Sequence, residues 1–161
     1  MKNAVRKTGF LTLCVAAVIV VSLFSVIGAV GAEDAYSIDT PYEYPIKPGM
    51  DEWDEILDHA AKIEMLQIPE HILDEMTTRA LAETVIDYPF LIDMYAYGDT
   101  SQGYEVVSET FNGLAELESR PDGLSTLVEI QQEQNIQGSS SQPIRAMYLD
   151  VLIDEMPAAA G

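Results

Sequence analysis

Residues 68–97 read IPEHILDEMTTRALAETVIDYPFLIDMYAY, and the breaks inside this run decide the fold. Its apolar residues keep a helical rhythm, while two prolines and two threonines cut it into short pieces. Pro69 suits the first position of a helix, because its missing N–H has no partner there anyway and Glu70 favours the positive helix end. Thr77 or Thr78 can cap a second helix through Leu81, Val85 and Tyr88. That helix must stop before Pro89, which pushes the preceding residue out of helical geometry. Phe90, Leu91, Met94 and Tyr95 follow. The stretch therefore predicts three short helices folded on one another.

Downstream, Tyr97-Gly98 predicts a helix end with glycine in the left-handed conformation, and Asp99, Thr100 and Ser101 offer caps for the next helix. In that helix Tyr104, Val107, Phe111, Leu114 and Leu117 recur at three and four residues, the rhythm of a buried seam. It is predicted to run unbroken to about Ser119. Ser119-Arg120-Pro121-Asp122 has capping-box spacing, so another helix through Leu124, Leu127, Val128 and Gln131 is expected almost without a loop. Residues 138–142 read as a flexible polar link. Pro143 then opens a last helix through Ile144, Met147, Tyr148, Val151 and Leu152, which Pro157 closes before a frayed tail at 158–161.

Upstream, Trp53, Ile56, Leu57, Ala60 and Ile63 predict one amphipathic helix from Asp51 to about Leu66, with Asp51 and Asp54 as caps. Residues 33–50 interleave Tyr36, Tyr42 and Tyr44 with Pro41, Pro45 and Pro48. They predict an extended arm, its tyrosines packed down on the domain in preference to displayed for a partner. The N-terminus carries Lys2, Arg6 and Lys7, then 23 uncharged residues from Phe10 to Ala32. The basic start, apolar middle and small-residue end at Val30-Gly31-Ala32 read as a signal peptide cut after Ala32. The same run is long enough to remain as an uncleaved membrane anchor. No strand alternation or internal repeat is visible. The reading is an all-α domain over 51–157, a bundle of about six or seven short helices, with leader 1–32 and arm 33–50 before it.

Cys14 is the one cysteine, and it lies in the leader, so an exported chain has neither disulfides nor thiols. Removing 1–32 leaves five basic against 27 acidic residues, a formal charge of −22. Such a surface repels nucleic acid and anionic lipid. It keeps a helical domain soluble and leaves a protein partner or a cell-envelope component as expected company. Only two lysines, Lys47 and Lys62, remain outside the leader, which also fits a salty medium.

Signatures of chemistry are weak. His59 and His71 each have a carboxylate four residues away, Glu55 and Glu75, a spacing that can hold a metal; in so acidic a chain such pairs arise by chance. Asp99, Ser101 and Gly103 echo a calcium loop, yet Thr110 stands where its bidentate glutamate belongs, and capping explains them better. No nucleophile elbow, phosphate-cradling loop or distinguishable pair of carboxylates is present. No catalytic residue, metal ligand or cofactor is assigned. Asn112-Gly113 is conspicuous, because a glycine inside the predicted long helix costs about 1 kcal/mol. The expected gain is close approach of a neighbour, such as the Pro89 turn, with Asn112 satisfying its backbone. Glu116 and Arg120, four apart, are a candidate supporting pair.

Ile68-Pro69-Glu70, Met76-Thr77-Thr78, Tyr88-Pro89, and Phe111-Asn112-Gly113-Leu114 with Glu116-Leu117 and Arg120, taken together, resemble a group of uncharacterised secreted bacterial proteins of about this size. The resemblance spans roughly 53–130. It implies a signal peptide and a helical domain, and carries over no functional residue. The function expected is a non-catalytic extracytoplasmic binding or structural module. The alternatives are a secreted hydrolase using carboxylates or a bound divalent cation, and a membrane-tethered envelope protein.

Overall fold

The computed structural model describes residues 37–136 and 143–157. The leader 1–32, residues 33–36 of the arm, the polar link at 138–142 and the tail 158–161 lie outside the described residues. Eight α-helices and one 3-10 helix form among those described: α1 Asp51–Glu55, α2 His59–Met65, α3 Glu70–Leu73, α4 Thr78–Ile86, the 3-10 helix Leu91–Tyr95, α5 Thr100–Thr110, α6 Asn112–Ser119, α7 Gly123–Ile136 and α8 Pro143–Glu155. The fold is all-α, and among the described residues no helix is long and apolar enough to cross a membrane.

Helix α4 is the hub. It touches α6, α7 and α8, and Ala80, Leu81, Ala82, Thr84, Val85 and Ile86 are all buried. A helix apolar nearly all round belongs in the middle of a bundle. Thr77 caps it, its Oγ1 accepting from Ala80 N at 3.2 Å. It stops at Ile86, three residues before Pro89, so the three-helix reading of 68–97 holds. Pro69 stands one residue outside α3, at the N-cap.

Charge ties the hub to its neighbours. Arg79 grips Glu133 of α7 with both terminal nitrogens, at 2.9 and 2.6 Å. Arg145 of α8 donates to Glu83 at 2.6 Å and to Asp87. Bidentate guanidinium–carboxylate pairs fix orientation as well as distance.

The arm packs down. Tyr42 N donates to the Thr84 hydroxyl at 2.8 Å, and the Tyr44 hydroxyl donates to the Thr84 carbonyl at 2.9 Å. Thr84 is fully buried and its Oγ1 also donates to Ala80 O, so one threonine anchors the arm to the hub. A single bridge pairs Ile38 with Met76. The described residues from Ser37 on form one compact unit, so the arm belongs to the domain.

Two of the predicted helices are broken, which accounts for the larger number of elements. The helix expected over 51–66 divides at Ile56–Asp58. Asp58 turns its carboxylate back on Ala60 N at 3.0 Å and caps α2, while Leu57 points outward, 93% exposed. A capping aspartate here outweighs one apolar residue. The expected cap at Asp51 does not form; Met50 stands at the N-cap, without a side-chain hydrogen bond. The helix expected over 100–119 divides at Phe111, whose backbone is extended (φ −122°, ψ 112°). Phe111 is fully buried and its ring stacks flat on Tyr88, centroids 3.9 Å apart. The apolar rhythm runs across the break because α5 and α6 face the same core.

Asn112-Gly113 therefore opens α6 instead of interrupting a helix, and its neighbour is the Ile68-Pro69 junction, not the Pro89 turn. Asn112 Nδ2 donates to Ile68 O at 2.7 Å and Oδ1 accepts from Ile68 N at 3.0 Å. Gln67 completes the clasp. Its Oε1 accepts from Asn112 N, and its Nε2 donates to Thr110 O and Ile63 O. One side chain thus bonds backbone groups near the ends of three helices. A Cβ on Gly113 would meet the Phe111 ring and Ile68 Cδ1, the latter at 2.9 Å.

Two further expectations are corrected. Ser119 does not cap α7; its hydroxyl donates to Glu116 O, and Asp122 accepts from Thr78 Oγ1 at 2.9 Å. Gly98 is not left-handed, since Gly49, at φ 92°, is the only positive-φ glycine among the described residues. The Glu116–Arg120 pair does form, at 3.0 Å. Arg120 also donates to Met76 O and Leu73 O, closing carbonyls left open where α3 ends.

Candidate functional site

Pro89 ends α4 and turns the chain so that Tyr88 and Phe90 leave it on either side of a bend. The Tyr88 ring lies among Phe111, Tyr44 and Phe90. Phe90 meets the Trp53 ring at 5.0 Å and the His59 ring at 4.3 Å, centroid to centroid. These contacts carry an aromatic column from the arm to α2. Where it ends, α2, the 3-10 helix and α5 leave a cleft of about 180 Å³.

His59 and Ile63 form one wall of the cleft, Phe90, Asp93 and Tyr97 the second, and Val106, Val107 and Thr110 the third; Tyr88 lies at the bottom. Gly103 makes the arrangement possible. A Cβ there would run into the Met94 backbone, so α5 can lie against the 3-10 helix only because the position is glycine.

At the rim His59 Nε2 lies 3.0 Å from Asp93 Oδ2. The two side chains are 57% and 29% exposed. Tyr88 is 3% exposed, yet its hydroxyl has no hydrogen-bond partner among the described residues. Burial raises its pKa, and the nearby Asp93 charge raises it further. The phenol therefore stays protonated. A buried hydroxyl without a partner costs stability, and natural folds rarely retain one without a reason. The Thr110 hydroxyl, by contrast, is engaged by Val106 O at 2.7 Å.

Three other hollows open on the surface. The largest, about 600 Å³, runs beside Arg120, Pro121 and Met156. A second, about 450 Å³, lies between the Pro89 turn and the start of α8. The third, about 580 Å³, lies along the arm beside Tyr42 and Lys47. The hollow beside the Pro89 turn also carries Tyr88, with the Asp87–Arg145 pair at its edge; the small cleft differs in lining Tyr88 with the Asp93 carboxylate and with no lysine or arginine.

The residues considered from sequence are dispersed. His59 is separated from Glu55 by the break at Ile56–Asp58 and joins Asp93 instead, across 34 positions. His71 lies exposed on α3. Asp99 caps α5, accepting from Gln102 N at 2.8 Å, while Thr100 and Ser101 donate to Glu155 at 3.2 and 2.7 Å. Among the described residues no three His, Cys, Asp or Glu side chains gather closely enough to hold a metal ion. Tyr88, Phe90, Asp93 and Tyr97 were missed as site residues. Their signal was the pair of aromatics flanking Pro89, which the sequence placed only as helix residues on either side of a break.

The fold and cleft define an all-helical domain with an aromatic, acid-rimmed recess among its surface hollows. The chain matches no protein-family model, no curated protein and no solved structure.

Proposed function

We propose that this chain is an exported, non-catalytic helical module that binds a ligand in the Tyr88 cleft. The observation that carries the reading is the Tyr88 hydroxyl, buried, unpartnered among the described residues and set below a His59–Asp93 pair. Recognition sites are typically concave and mostly apolar, with a few polar groups that fix orientation. This cleft has that make-up, with Ile63, Val106 and Val107, the rings of Tyr88, Phe90 and Tyr97, the Asp93 carboxylate and the unpartnered Tyr88 hydroxyl. Export rests on the basic, apolar and small-residue organisation of residues 1–32. The resemblance to secreted bacterial proteins supports it. Nucleic acid is an unsuitable ligand for so acidic a surface.

The test is nuclear magnetic resonance on the exported chain, titrated separately with phenol, acetate, tert-butanol and tetramethylammonium. At least one probe is expected to shift the ring signals of Tyr88, Phe90 and His59 saturably. Shifts that never saturate, or that fall elsewhere, contradict the reading. Intact mass of the exported protein checks the leader: a chain starting at Glu33 supports release, and the full-length mass supports the membrane-tethered alternative.

The His59–Asp93 pair favours a second reading, a hydrolase in which Asp93 orients His59 as general base. Among the described residues lining the cleft none is Ser, Cys or Lys, and the Thr110 hydroxyl is engaged by Val106 O, so the attacking group would be water. Hydrolysis of p-nitrophenyl acetate faster than with free imidazole, and lost in His59→Gln, would support that reading over binding.

A further inference from the structure

We propose that the Tyr88 cleft takes a small organic ammonium group, the head of an alkylamine or of a lysine side chain. The proposal rests on the cleft being the binding site, and adds the chemistry of what enters it.

Ring faces come first. Phe90 and Tyr97 line the recess, and the faces of aromatic rings attract cations that have shed part of their water. The same corner of the fold already uses this contact, with Lys62 Nζ over the Trp53 ring, 4.5 Å from its centroid.

Charge comes second. The lining carries one carboxylate, Asp93, with His59 Nε2 3.0 Å from its Oδ2, and no lysine or arginine. Of the lining residues only His59 can ever be positive, which leaves an anion nothing permanent to bind. The surrounding field has the same sign, with 27 acidic residues against eight basic in the whole chain. Arg79, Arg120 and Arg145 are each in an ion pair with a carboxylate. A field of one sign concentrates the opposite charge in clefts.

The third element is the Tyr88 hydroxyl, whose oxygen, unpartnered among the described residues, offers its negative end to a cationic head whether or not that head carries an N–H. Rings, carboxylate and hydroxyl together match a group that is greasy on its flanks and positive at its head. A volume of about 180 Å³ admits such a head but no large body.

The experiment uses the exported full chain at constant ionic strength, set with sodium chloride. Tetramethylammonium is titrated against tert-butanol, its neutral counterpart in shape, with the His59, Tyr88 and Phe90 ring signals as readout. Saturable shifts with tetramethylammonium are expected, about tenfold weaker or absent with tert-butanol. Asp93→Asn is expected to weaken the cation about tenfold while its circular dichroism stays native. If tert-butanol binds as well as the cation and Asp93→Asn changes nothing, the ammonium assignment is overturned and the cleft remains a binding site. Phenol or acetate shifting the cleft signals where tetramethylammonium does not has the same meaning. If none of the four probes reaches the cleft, the binding reading falls as well. A last arm separates the sources of the ammonium. Tighter binding of Nα-acetyl-lysine N-methylamide than of butylamine points to a protein side chain, and the reverse points to a free amine.

Discussion

Asn112 holds Ile68 by both of its backbone groups, accepting from the amide at 3.0 Å and donating to the carbonyl at 2.7 Å. A side chain 44 positions away thus stands in for a strand, at the point where Pro69 rules out a regular partner. Asn112→Ala leaves both Ile68 groups unpaired in a part-buried position and is expected to cost about 2 kcal/mol. Urea unfolding followed by circular dichroism measures it. A loss below about 0.5 kcal/mol would show that water replaces the carboxamide without penalty.

Close packing at glycine gives a second expectation. At Gly103 a Cβ would meet Met94 backbone, whereas at Gly113 it would meet the ends of the Phe111 and Ile68 side chains. Side chains yield and backbone does not, so Gly103→Ala is expected to destabilise by about 1–3 kcal/mol. Gly113→Ala should cost less, and Gly113→Leu should cost more than Gly113→Ala. Melting temperatures of the three variants test the order, and an equal fall for Gly103→Ala and Gly113→Ala would refute the distinction.

The buried phenols set the behaviour in alkali. Burial raises the pKa of Tyr44, Tyr88 and Tyr104 above the ordinary tyrosine value. For groups raised in the folded state, the stabilisation is complete below the unfolded value, about 10, and is lost as pH climbs from there toward the native values. Tyrosinate absorbance is therefore expected to stop short of the full eight tyrosines while helix persists, with the remainder ionising as helix is lost. A single smooth titration of all eight with intact helix would contradict this.

Much of the fold was legible because its stop and start signals are local. Thr77, the Tyr88-Pro89 pair and Pro143 act within a few residues of where they stand, and each marks a real boundary. The breaks at Ile56–Asp58 and Phe111 were not legible from periodicity, since apolar spacing continues across a break whenever both pieces face one core. Asn112-Gly113 was the clue to the second break, being a pair that helix interiors avoid, and Asp58 was the clue to the first. Arg120 was read as a partner for Glu116, and that pair exists; its bonds to the Leu73 and Met76 carbonyls depend on tertiary placement that no local pattern encodes. The candidate site was largely hidden for the same reason. His59 and Asp93 meet only because the fold brings α2 and the 3-10 helix to the same cleft, and an unpartnered hydroxyl can be recognised only once its surroundings are known.

The central claim is that the Tyr88 hydroxyl serves a ligand and not the fold, and Tyr88→Phe tests it most directly. The substitution keeps the ring against Phe111, Tyr44 and Phe90 and removes only the oxygen. Urea unfolding of wild type and variant is predicted to give equal stability, or a gain of up to about 1 kcal/mol for the variant, because a buried polar atom without a partner is removed. A loss of 1 kcal/mol or more would contradict the account, since it would mean that the hydroxyl is already bonded within the folded chain.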